Sequence, residues 1–582
     1  MMDDAAASRF MSLPMWLAWI QRDDVRAGRT ATQPGALEDF AAWWVLFGAE
    51  EYPAMWSVSA AAAAAAMRPR APDQLPWLVW RLHQARGDLG ARYDIADPED
   101  RADLLVWYRL YAPGELAHAP PLPPEALALT VAPDRRAGWW GDAELPRIAI
   151  ALHARDPDLC ADMPPERAGS AAALARWFAL SGNALIPPPH APHPAPLPLP
   201  AAKREAGGGN AGEPGVNLIG FATGELGVGE TVRALSRGLD LAGIAHGVID
   251  LPPGPGSRRR DLSIADRLID APIHPVSLLC VPPFDAAQLM LDGRADLFAA
   301  RHLIGVWYWE LPRFPAHASA LLHMFDEIWA PTRAAADGFA ATGGADVRLM
   351  PPAVEIGDLR PPMPGTPRPD GPFRFYCPFD RGSFVARKNP AAAIAAFRAA
   401  FPPSDDGVAL VVRINGERGA EADIADLVIA AEADPRIRFV TGTLDRPAAL
   451  AMLAGMDCLV SPHRAEGFGL NIAEAIRLDV PVLATDFGGC TDFLLPEETV
   501  PAHPRPIAEG EYPHAAGMIW ADIDRDALAR RMAEIRAIPP GPARARALAS
   551  RRALFERTYA PRPAAERVAR RLAEIFASLG TG

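Results

Sequence analysis

Downstream of residue 215, apolar positions fall into two alternating patterns. Short, mostly apolar runs occupy residues 216–222, 303–311, 373–377, 457–461 and 480–484, as in Asp457-Cys-Leu-Val-Ser461 and Val480-Pro-Val-Leu-Ala484. Runs of this length without polar alternation predict strands buried on both faces of a parallel sheet. Between them, residues 232–242, 391–400 and the segment after Leu470 read as helices, and residues 527–537 and 565–579 read as two more near the C-terminus. Strands and helices in this alternation predict an α/β fold built from βαβ units.

Residues 1–186 follow a different pattern, in which aromatic helices are separated by charged turns. A shift of 64 positions superimposes Trp16 on Trp80, Asp24 on Asp88, Trp43 on Trp107, Trp44 on Tyr108 and Leu46 on Leu110. A shift of 70 superimposes Pro76 on Pro146, His83 on His153, Asp88 on Asp158, Trp107 on Trp177 and Tyr108 on Phe178. Three degenerate copies of a two-helix unit account for both shifts. Aromatics at this density either fill a helical core, their commoner use, or anchor helices to a membrane interface or a partner. His83 and His153, single histidines at equivalent sites, read as packed or solvent-facing rather than as metal ligands. The boundary is a Pro-rich and then Gly-rich stretch, 187–214, expected to be extended and then flexible. The expected organisation is a helical domain over 1–186, the linker 187–214, an N-terminal lobe over 215–365, a C-terminal lobe over 366–555, and a last helix within 556–582.

Candidate chemistry concentrates between the runs at 457–461 and 480–484. Glu466-Gly-Phe-Gly-Leu-Asn471 places one carboxylate in the loop before a helix, and Glu474 lies about one turn into it. Gly467 and Gly469 let the backbone approach a ligand closely, and the free N–H groups near Leu470, Asn471 and Ile472 face an anion such as a diphosphate. Either carboxylate alone is explained as well by complementing the helix dipole. Together with the glycines, Phe468 and both strands, the pair suits a nucleotide sugar, one carboxylate on sugar hydroxyls and the other on ribose.

Composition singles out one more residue. The chain holds 58 Lys plus Arg, of which only Lys203 and Lys388 are lysines. Lys388 sits in Phe379-Asp-Arg-Gly-Ser-Phe-Val-Ala-Arg-Lys-Asn-Pro390, between the strand 373–377 and the helix 391–400. A flexible ammonium acts as a point charge on phosphate. Arg387 and Lys388 therefore read as a diphosphate clamp, the alternative being a solvated basic pair on a helix-capping segment.

Upstream, residues 223–231 form a glycine-rich loop between the strand 216–222 and the helix 232–242. Gly224, Gly227 and Gly229 do not spell the dinucleotide fingerprint, and no Walker lysine follows. The loop reads equally as a tight turn or as a ligand cradle. The run from Leu303 breaks at Pro312, so Trp309 and Glu310 are expected to emerge at the C-terminal end of a strand, where open α/β sheets bind ligands. Glu310 is a candidate polar group on the acceptor side. Trp309 is either its neighbour there or a core residue.

Glu466 and Glu474, separated by seven residues that begin Gly-Phe-Gly-Leu, followed by Pro481-Val-Leu-Ala-Thr485 and Gly488-Gly489, resemble the retaining GT-B glycosyltransferases of family four. The resemblance implies twin Rossmann-like lobes, here preceded by an all-α repeat-like domain, and a last helix crossing back to the N-terminal lobe. It implies that Glu466 contacts the donor hexose, that Glu474 contacts the ribose, and that Arg387 and Lys388 bind the phosphates. Gly227, Gly229, Glu230 and Arg233 match the Gly-Leu-Gly-Glu-x-x-Arg loop of some members, and residues 303–315 and 325–331 are also similar to this family. Two departures stand out. The arginine usually found a few residues before the lysine has no aligned match, since Arg381 lies seven before Lys388, and no histidine aligns with the catalytic-site His of the N-terminal lobe. The activity implied is transfer of a hexose, mannose-like or glucose-like, with retention from a nucleotide diphosphate sugar to a glycan or lipid-linked acceptor in cell-envelope polysaccharide synthesis. The other readings are a nucleotide-sugar or partner-binding scaffold without catalysis, and a nucleotide-sugar epimerase on the same plan.

Charge and cysteine usage narrow the rest. A net charge of −13 argues against a sequence-independent nucleic-acid binder. The five cysteines form no CxxC pair and read as reduced thiols of a cytosolic protein. The start Met1-Met-Asp-Asp-Ala5 lacks the basic residues of a signal peptide, and no 18-residue apolar stretch is present, so a cytoplasmic site is expected, with residues 1–186 as the route to any peripheral membrane or protein contact. Asp522-Ile-Asp-Arg-Asp526 contains Asp-x-Asp, but it precedes a helix and reads as an N-cap with acidic first-turn residues. No metal and no cofactor beyond the nucleotide-sugar co-substrate is expected.

Overall fold

The computed structural model describes residues 11–26, 33–70, 74–134, 140, 144–192, 214–254, 257–343, 345–359, 371–416, 422–432 and 434–580. Most of the linker 187–214, Lys203 and the expected lobe boundary at 366 lie outside them. The chain divides into two compact units, Met1–Leu199 with Ala287–Gly293, and Pro200–Ala286 with Arg294–Gly582.

The first unit is helical, and its helices recur in register. Leu13–Gln21, Trp77–Ala85 and Arg147–Arg155 begin and end at positions separated by 64 and 70 residues. Each is followed by a short helix (Asp23–Arg26, Gly87–Arg92, Pro157–Asp162) and then a longer one (Ala36–Glu51, Pro98–Glu115, Ser170–Leu180). Two copies add a further short helix, Ala60–Ala66 and Pro124–Val131, so the unit contains more than two helices. Contacts repeat as well as helices. Arg22 pairs with Glu51 and lies over the Trp43 ring, while Arg86 pairs with Glu115 and lies over Trp107, each partner 64 residues on. His83 Nε2 and His153 Nε2 each bond a backbone carbonyl ten residues ahead, Tyr93 O and Met163 O, both at 2.9 Å.

The junctions between copies are equivalent in place, but the arginine stands at a different position in each. Arg70 pairs with Asp39 at 2.6 Å and lies over the Trp77 ring. At the next junction Asp134 stands in the place of Arg70 and Arg147 in the place of Trp77. Arg147 there reaches Asp103, the equivalent of Asp39, at 3.0 Å and Asp134 at 3.6 Å. The aromatics fill the interior: Phe40, Trp44, Trp19 and Tyr108 are buried. Sealing a ring of that size removes roughly 150–250 Å² from water, on the order of 4–6 kcal/mol each. Among the described residues no helix is long and apolar enough to cross a membrane.

The second unit holds two parallel six-stranded sheets, the two Rossmann-like lobes of a GT-B architecture. In the N-terminal lobe the strands are β1 (Val216–Gly220), β2 (His246–Asp250), β3 (Val276–Cys280), β4 (His302–Val306), β5 (Glu327–Ala330) and β6 (Asp346–Leu349), ordered β2-β1-β3-β4-β5-β6. Every residue of β1, β3 and β5 is buried, which is why these strands are mostly apolar on both faces and show no alternation. In the C-terminal lobe β7 (Phe373–Asp380), β8 (Val408–Asn415), β9 (Ile437–Thr441), β10 (Cys458–Ser461), β11 (Val482–Thr485) and β12 (Thr499–Val500) are ordered β9-β8-β7-β10-β11-β12.

Three local readings change. The helix after β1 begins at Gly227, so the second half of the expected loop 223–231 is its first turn. Strand β4 ends at Val306, where Trp307 N bonds Trp329 O and the chain turns away well before Pro312. An antiparallel hairpin, β13 (Ala502–Pro506) and β14 (Ile519–Ile523), stands outside the parallel sheet. Asp522 lies on β14, and Asp524 caps the helix Arg525–Ala537 by accepting from Ala527 N.

Helix Pro542–Tyr559 packs Phe555 and Tyr559 against Phe468 and Phe493 of the C-terminal lobe. After Ala560 the chain turns into Pro561–Leu579, which buries Val568, Leu572 and Ile575 in the N-terminal lobe beside Val216, Leu218 and Leu239. Arg571 of this crossing helix pairs with the buried Glu327 of β5, which His302 Nε2 also reaches at 3.1 Å.

Candidate active site

A cleft of about 960 Å³ lies between the two lobes, and the C-terminal ends of both sheets open onto it. On the C-terminal side the chain leaves β10, runs through Glu466-Gly467-Phe468, and enters the helix Leu470–Arg477. Gly469 makes that entry at φ 90°, in the left-handed region, where a Cβ would also meet Ile472 at 3.0 Å and Cys490 at 3.3 Å. Ala473 is the first residue whose N–H closes a bond to Gly469 O, so the N–H groups of Leu470, Asn471 and Ile472 are those that helix geometry leaves open toward the cleft. Gly489 presses against the same loop: its N–H bonds Glu466 O, and a Cβ would come within 2.0 Å of Gly467 O.

Glu466 and Lys388 are in direct ionic contact, and Arg387 Nη1 lies 3.8 Å from Glu466 Oε1. Burial acts to raise the Glu466 carboxyl, but Lys388, Arg387 and His463 outweigh it and hold it at about 2. Burial lowers the Lys388 ammonium, with Arg387 adding to the effect against the pull of Glu466. The basic pair occupies a single helical turn, Val385–Lys388, that begins at Phe384. Phe384 O accepts from both Arg387 N and Lys388 N, at 3.1 and 3.2 Å. The Arg387 guanidinium is committed on two sides, donating from Nε to Ser383 O at 3.1 Å and from Nη1 to Ala465 O at 3.0 Å. Its remaining nitrogen lies 3.8 Å from Glu310 Oε1 across the cleft. Lys388 is thus the more movable charge, and Arg387 the fixed one.

Glu474 is buried, and Arg446 Nη1 donates to it at 2.8 Å. Arg446 also reaches Glu230 of the N-terminal lobe at 3.2 Å and donates to Glu355 O at 2.7 Å. Glu230 in turn holds Arg233 at 3.0 Å and Arg237 at 2.7 Å. Burial raises the Glu474 carboxyl while Arg446 opposes the rise.

The structure therefore brings Glu466, Lys388, Arg387, Glu474, Glu310, Gly467, Phe468, Gly469, Leu470, Asn471 and Gly227 to one cleft, with Arg381 on the same wall. Two candidates are placed elsewhere. Gly229 lies beneath the cleft floor, where a Cβ would meet Gly224 O at 2.4 Å, so its role is close packing of helix on loop. Trp309 turns its indole into a cluster with Phe284 and Phe314 and donates to Arg313 O at 2.8 Å, while the flanking Tyr308 and Glu310 face the cleft.

Sequence reasoning missed four residues. Arg446 carries no signal beyond being basic, because only the fold brings it to Glu474. His463 stood inside the quoted motif; it is fully buried, with Nε2 on Phe487 O and Nδ1 on Ser461 Oγ, both at 3.0 Å. Burial, with Lys388 and Arg387, lowers it to about 4 against Glu466. Phe384 and Tyr512 also line the cleft. Tyr512 comes from the loop of the β13–β14 hairpin, which reaches the other lobe: Tyr512 OH donates to Glu310 Oε2 at 3.4 Å, and the His514 ring stacks on Phe284 at 3.7 Å.

Comparison with known proteins finds similarities over parts of the chain. A probable glycogen synthase of Methanocaldococcus jannaschii is 30% identical over 118 residues, which are 20% of this chain and 21% of that protein. The chain thus spans about a fifth of the length of that curated relative. Sucrose-phosphate synthase from Thermosynechococcus elongatus is similar in structure with a TM-score of 0.45 and 17% identity, covering 62% of this chain and all of that one. The Anabaena protein HepE in complex with UDP and glucose gives a TM-score of 0.42 and 14% identity, over 62% and 99%. Residues 339–568 match the model of a family described as Family 4 Glycosyltransferase in conflict systems, a match that spans the C-terminal lobe and the start of the crossing helix.

Proposed function

We propose that this cleft binds a nucleotide diphosphate sugar and that the chain transfers its hexose, with retention at the anomeric carbon, to a glycan or lipid-linked acceptor, as in cell-envelope polysaccharide synthesis. The observation that carries the reading is Lys388, one of two lysines in the chain, set against Glu466 at the mouth of a helix whose first N–H groups are open. Two cations and a helix N-terminus around one space suit a diphosphate, whose charge grows as it leaves. Glu466 is placed to accept from hexose hydroxyls, and Glu474, shared with Arg446, to accept from ribose. Glu310, across the cleft, faces the acceptor. In the transfer the bond between the anomeric carbon and the diphosphate oxygen breaks, and the acceptor oxygen bonds that carbon on the same face. The acceptor's proton passes to the departing phosphate oxygen. Arg387, Lys388 and the N–H groups carry the phosphate charge in this scheme, with no metal assigned.

Thermal-shift titration with UDP, GDP and ADP and their hexose conjugates, followed by product analysis, tests the proposal. A donor should raise the melting temperature, and Lys388→Ala should abolish the shift from nucleoside diphosphates while leaving the fold intact. Full turnover by Lys388→Ala would refute the phosphate assignment. Donor binding without transfer or hydrolysis would favour a nucleotide-sugar-binding scaffold, and sugar interconversion without an acceptor would favour an epimerase.

A further inference from the structure

Phe384 is the least economical residue in the cleft. Its backbone sits at φ 62° and ψ 116°, a region that a side chain with a Cβ rarely adopts, and the residue is 44% exposed. The strained conformation has a local use, since it aims the Phe384 carbonyl at Arg387 N and Lys388 N and so starts the turn that carries both cations. Glycine would serve that backbone better than phenylalanine. The turn therefore explains the strain but not the ring, and strain held at a ligand-facing residue is a recurrent mark of a working site.

The ring has company suited to one class of ligand. Tyr512 stands edge-on to it, with centroids 5.0 Å apart at 69°, and its hydroxyl donates to Glu310 Oε2. Glu310 keeps its other oxygen 3.8 Å from Arg387. All four residues line the same cleft beside Glu466 and Lys388. An exposed aromatic face offers a shelf for the C–H face of a sugar ring, and the carboxylate beside it accepts from hydroxyls at the ring's edge.

From this we infer that Phe384, Tyr512 and Glu310 form an acceptor subsite for a saccharide, with Phe384 as the stacking shelf and Glu310, oriented by Tyr512, as the hydroxyl acceptor. The inference rests on the glycosyltransferase reading and narrows its acceptor to a sugar. Tyr512 reaches the subsite on the β13–β14 hairpin, which places part of the acceptor surface on the C-terminal lobe.

Saturation-transfer NMR tests it, using methyl glycosides of glucose, galactose, mannose and N-acetylglucosamine with whichever of UDP, GDP or ADP binds. The wild-type protein should give saccharide signals. Phe384→Gly should keep its nucleotide affinity and melt at the same or a higher temperature, because the turn is relieved, while its saccharide affinity falls on the order of tenfold. Tyr512→Phe, which keeps the ring and loses the hydroxyl, should weaken the saccharide by a smaller factor. Saccharide binding unchanged in Phe384→Gly, or no saccharide signal from nucleotide-bound wild type, overturns the subsite. Failure of all three nucleotides to bind instead counts against the glycosyltransferase reading itself.

Discussion

Arg446 and Glu474 meet at 2.8 Å within the C-terminal lobe, and the same guanidinium lies 3.2 Å from Glu230 of the N-terminal lobe. One cation thus serves two buried carboxylates on opposite sides of the cleft. Replacing it with alanine strands Glu474, while Glu230 keeps Arg233 and Arg237, and breaking a buried pair from one side costs about 3 kcal/mol. Urea unfolding of Arg446→Ala should show a loss of that order, and adding Glu474→Gln should recover part of it. An unchanged midpoint would mean that the pair is solvated.

Glu466 holds Lys388, so the carboxylate competes with any phosphate for that ammonium. Glu466→Gln should therefore bind a nucleoside diphosphate at least as tightly as wild type and the matching nucleotide sugar more weakly. Calorimetry with both ligands separates the effects. Weakening of the two alike would assign Glu466 to the phosphates rather than to the hexose.

His463 gives the protein a stability gradient with pH. Its ring is held at about 4 against an ordinary value near 6.5, so between those limits the unfolded chain takes up a proton that the folded chain refuses. Stability from this residue is complete above about pH 6.5, falls by about 3 kcal/mol as pH drops to 4, and changes no further below. The gradient should flatten in His463→Gln, measured as urea midpoints at pH 7.5, 5.5 and 4. Equal slopes in the two proteins would refute it.

The crossing helix is tied to the N-terminal lobe by Arg571 on Glu327, a carboxylate that is 2% exposed and is held at about 2 because His302, Arg571 and Trp329 overcome its burial. Arg571→Ala should cost about 3 kcal/mol, and hydrogen exchange should rise across residues 561–579. Arg571→Lys should restore only part of the protection, because an ammonium cannot reproduce the two-oxygen grip of the guanidinium. Unchanged exchange in Arg571→Ala would show that Val568, Leu572 and Ile575 hold the helix alone.

What could be read from sequence was what local chemistry determines. The buried strands announced themselves as apolar runs, and the lone lysine beside an arginine in a loop before a helix pointed to the residue that now stands against Glu466. Partners supplied by tertiary approach were invisible: Arg446 lies 28 positions before Glu474, and Tyr512 lies 202 after Glu310. The two readings of Trp309 stayed open in the sequence because β4 ends at Val306, and beyond a strand the alternation of faces no longer says where a side chain points. Gly229 stayed open for a different reason, since a glycine needed for close packing and one needed by a ligand look alike in sequence.

The different placement of the arginine at the two helical junctions has a consequence for residues 1–186. Were the middle copy excised by joining residue 76 to 147, Arg70 would confront Arg147 where it now rests on Trp77, leaving two guanidinium groups to contend for Asp39. The three copies are therefore not interchangeable beads. Each bears a distinct address, and the array can be neither shortened nor reordered by simple recombination without rewriting a junction.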